Sequence, residues 1–413
     1  MSRINPHITA AWAGVACLLA SHLTAQVPRI PQAAPAASAA DDTARLLAGM
    51  VPSADPALAW LLEESAWQQH ARYFDTAWEN LEKKQLSKVR LWAKNRIPDA
   101  FASKSAVFYM FSGPDFLYAN TFFPQASTYV LCGIEPIGPL PDVAKVAPRA
   151  LGGELRRLQE SLNSVLHLSF FITKNMKNDF QNHALSGTLP ILYIFLARSG
   201  MTISDVNYVG LDDEGVLTPR QDGTRSAKSP APGVMIRFLA EGSNTPRTLY
   251  YFSTDISDSG LKHSGFLKFC KLLAPGNSCV KSASYLMHES QFSTIRRFLL
   301  ENSDLLVQDD SGIPCSHFTS DAWQLRFFGR YLGPIPLFKN YTQPRLAEYY
   351  RTTNPESLDF GIGYRYRAGE SALIVATRNP ARGSEARPND ASSGVPPRAI
   401  IVPEEDPAPS LRP

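Results

Sequence analysis

Apolar positions cluster most densely over residues 106–134, AVFYMFSGPDFLYANTFFPQASTYVLCGI. Two runs, 106–111 and 128–132, are rich in aromatic and β-branched residues and apolar throughout, which predicts strands covered on both faces. Between them Ser112-Gly113-Pro114-Asp115 supplies a turn, a proline suited to the first helical position and an early acid. A short helix over 114–123 is therefore expected, ended by Pro124. This strand–helix–strand unit belongs at the centre of a sheet.

The remaining pattern fits around it. Leu61, Leu62, Ala66, His70, Tyr73, Ala77, Leu81 and Leu86 recur at helical spacing and predict one or two helices over 58–94. His70 lies on that apolar stripe and reads as a packed residue. Leu151, Leu155, Leu158, Leu162 and Val165 mark an amphipathic helix. The stretch 189–198, LPILYIFLAR, is apolar all round but too short to span a bilayer, and predicts a buried helix. A strand at 203–211, a hairpin of 234–239 with 248–252, and a helix at 261–273 follow.

From residue 284 the organising pattern returns as SYLMHESQFSTIRRFLLENSDLLVQDDSGIP. An offset of 176 aligns Tyr109 with Tyr285, Phe116 with Phe292, Phe122 with Phe298 and Ser127 with Ser303. Strands at 358–366 and 372–376 close the body. The fold class expected is α/β: a mixed, largely parallel sheet built from strand–helix–strand units, with N-terminal helices and disordered ends.

Composition changes the picture at the ends. Residues 1–25 combine Arg3, an uncharged apolar run and a Leu23-Thr24-Ala25 terminus, and read as a signal peptide. Residues 26–56 are dense in Ala and Pro and read as a tether, and 379–413 as a disordered tail with one apolar patch at 399–402. The body is then 57–378, one unit or two related halves at 57–200 and 201–378. Export to the periplasm or outside the cell is the expectation, with no transmembrane span once the leader is cleaved. A formal charge of +3, or +2 without Arg3, excludes a strongly basic nucleic-acid binder.

Of the five cysteines, Cys17 falls in the leader. The other four, Cys132, Cys270, Cys279 and Cys315, form no CxxC pair and no zinc spacing, so neither metal nor cofactor is expected. In an oxidising compartment Cys270 and Cys279, around Pro275-Gly276, are the most local disulfide candidates. Cys132, ending an apolar strand, reads as a buried thiol.

No GxSxG, GxxxxGK[ST], HExxH or GxGxxG motif occurs. Candidate ligand-binding residues come instead from the ends of the predicted strands, where open α/β sheets bind ligands. These are Ser112 and Asp115 in the first turn, His288 and Glu289 in the second, Asp309 and Asp310 after the last strand, and Asp255 in a polar cluster with Asp258 and His263. Backbone N–H groups at the helix starts favour an anion, whereas the carboxylates favour a cation or sugar hydroxyls. The sequence leaves both open. If the site is shared, Asp309→Ala removes ligand binding while sparing stability.

The stretches YYFSTDISDSG, SYLMHESQFSTIRRFLLENS, QDDSGIP and LDFGIGYRY resemble exported bacterial proteins of unknown function. That resemblance implies export and one folded unit, and no reaction. The expectation is a protein that binds a small polar or anionic ligand at the carboxyl edge of the sheet. The alternatives are a hydrolase using Asp/Glu and His there, and a structural or interaction module.

Overall fold

In the central strand, alternate side chains enter different cores. Val107 and Tyr109 pack in one apolar cluster, Ala106, Phe108 and Met110 in the other. That is the period-two geometry of a strand covered on both faces, and it is why the run is apolar throughout. In this computed structural model the described residues are 38–53, 55–168, 170, 184–224 and 231–380. The stretch expected as a signal peptide, the start of the expected tether and the expected tail beyond residue 380 lie outside them.

Ten strands of the described residues form one sheet: β1 (Ala106–Tyr109), β2 (Thr128–Gly133), β3 (Met201–Leu211), β4 (Leu217–Pro219), β5 (Pro232–Ala240), β6 (Arg247–Ser253), β7 (Gly276–Val280), β8 (Ser303–Gln308), β9 (Trp323–Gly329) and β10 (Ala372–Arg378). Their spatial order is β4-β3-β5-β6-β2-β1-β7-β8-β10-β9. The five central strands, β6 to β8, are mutually parallel. Every pairing outside them is antiparallel. The sheet is thus α/β and mixed, but "largely parallel" holds only for its centre: on one flank the chain reverses through the β3–β4 and β5–β6 hairpins, and on the other β10 returns between β8 and β9 after a long excursion.

Numbered in chain order, the parallel block reads 3-2-1-4-5. The chain runs outward from β1 through β2 to β6, then crosses back and runs outward through β7 to β8. Helices follow the same division. Phe116–Phe122, Pro148–Leu168 and Leu189–Arg198 pack on the face of Val107, whereas Phe266–Leu273 and Ser293–Asn302 pack on the face of Phe108. A right-handed crossover covers opposite faces when its direction reverses, so a doubly wound sheet results. The reversal falls between β1 and β7, the topological switch point. Among the packing contacts, Phe116 sits edge-on to Tyr129 and Phe238, at 5.0 and 5.6 Å.

Four local expectations need correction. The stretch 358–366, expected as a strand, forms only an isolated bridge between Ile362 and Arg365. Helix Ala39–Leu47 lies within the stretch read as tether, capped by the Ser38 side chain, with Leu46 and Leu47 buried. The short helix of the organising unit begins at Phe116, not Pro114, because Asp115 is its N-cap. In the second unit the helix and closing strand match the offset, but the first strand is β7, and Tyr285 lies in a left-handed turn beyond it.

Candidate functional site

The carboxyl ends of the five parallel strands share one edge, and each opens into a polar loop. Ser112 and Asp115 follow β1, Glu135 follows β2, Thr254 and Asp255 follow β6, Lys281 to Tyr285 follow β7, and Asp309 and Asp310 follow β8. The first and second turns touch, since the Phe111 and Phe292 rings lie 5.6 Å apart.

At the switch point Asp115 and Lys281 form an ion pair at 3.0 Å, both side chains only 2% exposed. Asp115 Oδ2 also accepts the Tyr109 hydroxyl at 2.8 Å, and Oδ1 caps the helix by accepting Tyr118 N–H at 3.2 Å. The Lys281 ammonium lies 4.2 Å from the centre of the Tyr118 ring. A buried pair of this kind persists only when such additional partners surround it.

Asp309 and Asp310 are adjacent in sequence but differ in role. Asp309 Oδ2 accepts Ser282 N–H at 2.9 Å, while Oδ1 accepts Ser311 N–H at 2.9 Å and Ser311 Oγ–H at 2.5 Å. Burial pushes its carboxyl up, opposed by those donors and by Lys281. Asp309 therefore ties the β7 loop to the β8 loop, and its substitution is expected to loosen both loops as well as any site. That corrects the stability-neutral expectation for Asp309→Ala. Asp310 Oδ2 accepts the Tyr285 hydroxyl, at 2.6 Å. Burial first, and then the Asp309 carboxylate, push Asp310 up to about 7.

Tyr285 stacks on Tyr341 at 5.1 Å, with His288 edge-on to both. Glu289 Oε1 accepts the Tyr341 hydroxyl at 2.6 Å. Burial pushes His288 down to about 4, so its ring is neutral near pH 7. The sequence-predicted residues Ser112, Asp115, His288, Glu289, Asp309 and Asp310 thus all lie on this edge. Asp255 is exposed, and its carboxylate is engaged locally by Ser257 N–H at 2.9 Å.

The helix starts bear on the choice between an anion and a cation or sugar hydroxyls. Asp115 fills the first. At the second, Asp258 accepts Ser293 Oγ–H at 2.7 Å and Thr294 N–H at 2.8 Å. Carboxylates of the chain occupy both, so neither offers an anion its free N–H groups.

Sequence reading missed Lys281 and Glu135. Glu135 is buried, and its carboxylate lies over Gly113, where an added Cβ would meet Oε2 at 3.5 Å. The available signal was spacing: an acid at the end of the second strand, twenty-two positions after the glycine of the first turn.

Backbone conformation marks the same place. Among the described residues, five non-glycine residues have left-handed φ: Phe111, Ser282, Ser284, Tyr285 and Asn354. Asn354 ends a helix. The other four lie on the two loops that flank the switch point. Each such residue costs about 1–3 kcal/mol, and strain of this kind concentrates at functional sites.

The expected Cys270–Cys279 disulfide is not formed. Both thiols are free and buried, Cys270 in the core on one face of the sheet and Cys279 in the core on the other. Cys132 is a buried thiol as expected, pushed up to about 12 by burial, with Met110 sulfur 3.4 Å away. Among the described residues no three His, Cys, Asp or Glu side chains converge to hold a metal ion. Likewise no described helix is long and apolar enough to cross a membrane. Set against known proteins, the chain matches no family model, no curated protein and no solved structure.

Proposed function

We propose that the protein binds a nucleoside-type ligand, one with a ribose but no pyrophosphate, in the crevice at the β1/β7 switch point. The observation that carries this is the position of Glu135. In doubly wound sheets of order 3-2-1-4-5, an acid about 20 residues beyond the first-turn glycine holds the ribose hydroxyls. Glu135 occupies that position over Gly113. The pyrophosphate half of that arrangement is missing: the turn carries a single glycine, and Asp115 sits where phosphate oxygens would meet the helix start. A carboxylate there repels phosphate and suits a neutral or cationic substituent.

The test is calorimetric titration with adenosine, S-adenosylmethionine, ATP and NAD. Binding of one of the first two, about tenfold or more tighter than ATP and NAD, is expected, with Glu135→Gln weakening it by about tenfold, as loss of a charged hydrogen bond does. Preference for ATP or NAD, or indifference to Glu135→Gln, refutes the reading.

A second reading, an enzyme, rests on Asp310. A buried carboxyl at about 7 beside the Tyr285 hydroxyl has the proton affinity of a general acid or base at neutral pH. If it serves chemistry, Asp310→Asn leaves nucleoside affinity in place and abolishes turnover of any substrate found.

A further inference from the structure

A second cleft lies outside the carboxyl-edge residues, with a volume of about 700 Å³, within the range of small-molecule sites. One wall is Lys83, Lys84 and Lys88, and the apolar surface is supplied by Tyr118, Phe360 and Tyr366. The lysines come from an irregular stretch of helix. Ser65–Leu81 runs into a π-helical turn, Glu82–Leu86, before the α-helix resumes at Ser87–Arg96. Such turns are rare and are frequent at functional sites, since the extra residue re-aims the side chains around it.

Here the turn has two products. Gln85 exchanges hydrogen bonds with the Gly361 backbone through both its amide N–H and its carbonyl, and Lys88 Nζ donates to Asp359 O at 2.8 Å. Together they hold the 359–361 segment as the opposite wall. Lys83 and Lys84 are left exposed at the opening, and neither forms an ion pair among the described residues. Among the described residues Asp359 is the only acid on the lining, and it sits 3.8 Å from Lys88. Three lysines against one aspartate give the described lining a formal charge of +2.

We infer that this cleft binds a small organic anion, a phosphate monoester or carboxylate on an aromatic or apolar body. The body would lie against Tyr118, Phe360 and Tyr366, and the anionic group would meet Lys83 and Lys84. An unpaired cationic rim above aromatic side chains is complementary to that chemistry in both charge and polarity. Tyr118 links this cleft to the carboxyl edge, because the same ring packs against Lys281 at 4.2 Å. The inference is independent of the nucleoside reading, and the two sites share only this residue.

The experiment uses the full chain and titrates 1-naphthyl phosphate, 1-naphthol and inorganic phosphate, followed by naphthyl fluorescence and calorimetry. Saturable binding of 1-naphthyl phosphate is expected, at least about tenfold tighter than either fragment. The Lys83→Gln/Lys84→Gln double variant, exposed and remote from the core, should weaken it by roughly tenfold, the sum of two exposed charge contacts. Raising NaCl from about 50 to 500 mM should weaken it further. Equal binding of 1-naphthol, no loss in the double variant, or no saturation in the low millimolar range each overturns the inference. Glu135→Gln serves as the control: it leaves naphthyl phosphate binding unchanged whatever it does to nucleosides, so the two readings fail separately.

Discussion

Two buried carboxylates, Asp115 and Asp310, stand at the ends of neighbouring parts of the same sheet, yet they are stabilised by opposite means. Asp115 has a cation at 3.0 Å, a tyrosine hydroxyl and a backbone N–H. Asp310 has one tyrosine hydroxyl on its carboxylate and a second carboxylate in the preceding residue. The first faces a buried ammonium of opposite charge. The second answers desolvation and its like-charged neighbour by holding its proton, against the smaller opposing pull of the Tyr285 hydroxyl and Arg365. Burial alone therefore does not tell how a carboxylate behaves; the charge of its nearest partner does.

The largest break in the comparison comes from removing the cation. Lys281→Met is expected to cost about 3–5 kcal/mol, because it strands Asp115 in the interior. Adding Asp115→Asn should restore most of that loss, as a double-mutant cycle in urea will read. If Lys281→Met costs less than about 1 kcal/mol, the two acids are not held differently after all.

Asp310→Asn probes the other side through pH. With its folded value near 7, Asp310 binds a proton in the folded state that the unfolded chain has already released above about pH 4. Its contribution is complete below about pH 4 and is lost as pH rises through 7. The asparagine stays neutral, so the variant should gain on the wild type by about 2 kcal/mol between pH 5 and 8. His70 and His288, both pushed down to about 4 by burial, act in the opposite direction: their contribution is present above about pH 6.5 and is lost as pH falls through 4. Wild type and variant share them, so the difference profile removes them. A flat difference profile would contradict the assignment to Asp310.

The smallest effect sharpens what the strained loop is for. Ser282 has φ 52°, and its buried Oγ has no hydrogen-bond partner among the described residues. Ser282→Gly removes both penalties and keeps the N–H that Asp309 needs, so a gain of about 1 kcal/mol in thermal or urea unfolding is expected. Nucleoside affinity should fall in the same variant, as stability and function trade at such sites. A gain in stability with affinity unchanged would show that the strain serves no ligand.

Much of this was legible along the chain, because it depends on neighbours in sequence. The alternation of Val107 and Tyr109 against Ala106, Phe108 and Met110 needs only the geometry of a strand, and it correctly indicated a sheet covered on both faces. The all-round apolar helix Leu189–Arg198 and the β5–β6 hairpin followed from period and turn chemistry. The ends of the first and last strands of the two units, with Ser112, Asp115, Asp309 and Asp310, followed from the same signals, whereas β7 went unread and His288 and Glu289 lie beyond it.

What only the tertiary structure decided depends on residues far apart in the chain. Strand order is one such thing: β10 inserts between β8 and β9, and β7 comes to lie beside β1. Asp115 acquires Lys281 as its partner because β1 and β7 are adjacent, a pairing no local pattern encodes. Cys270 and Cys279 are close in sequence, but a strand that starts between them puts them on opposite faces of the sheet. Periodicity fixes which way each side chain points relative to its own element; which charge, ring or thiol it then meets is set by how the elements are ordered, and that order minimises the free energy of the whole chain, not of any one segment.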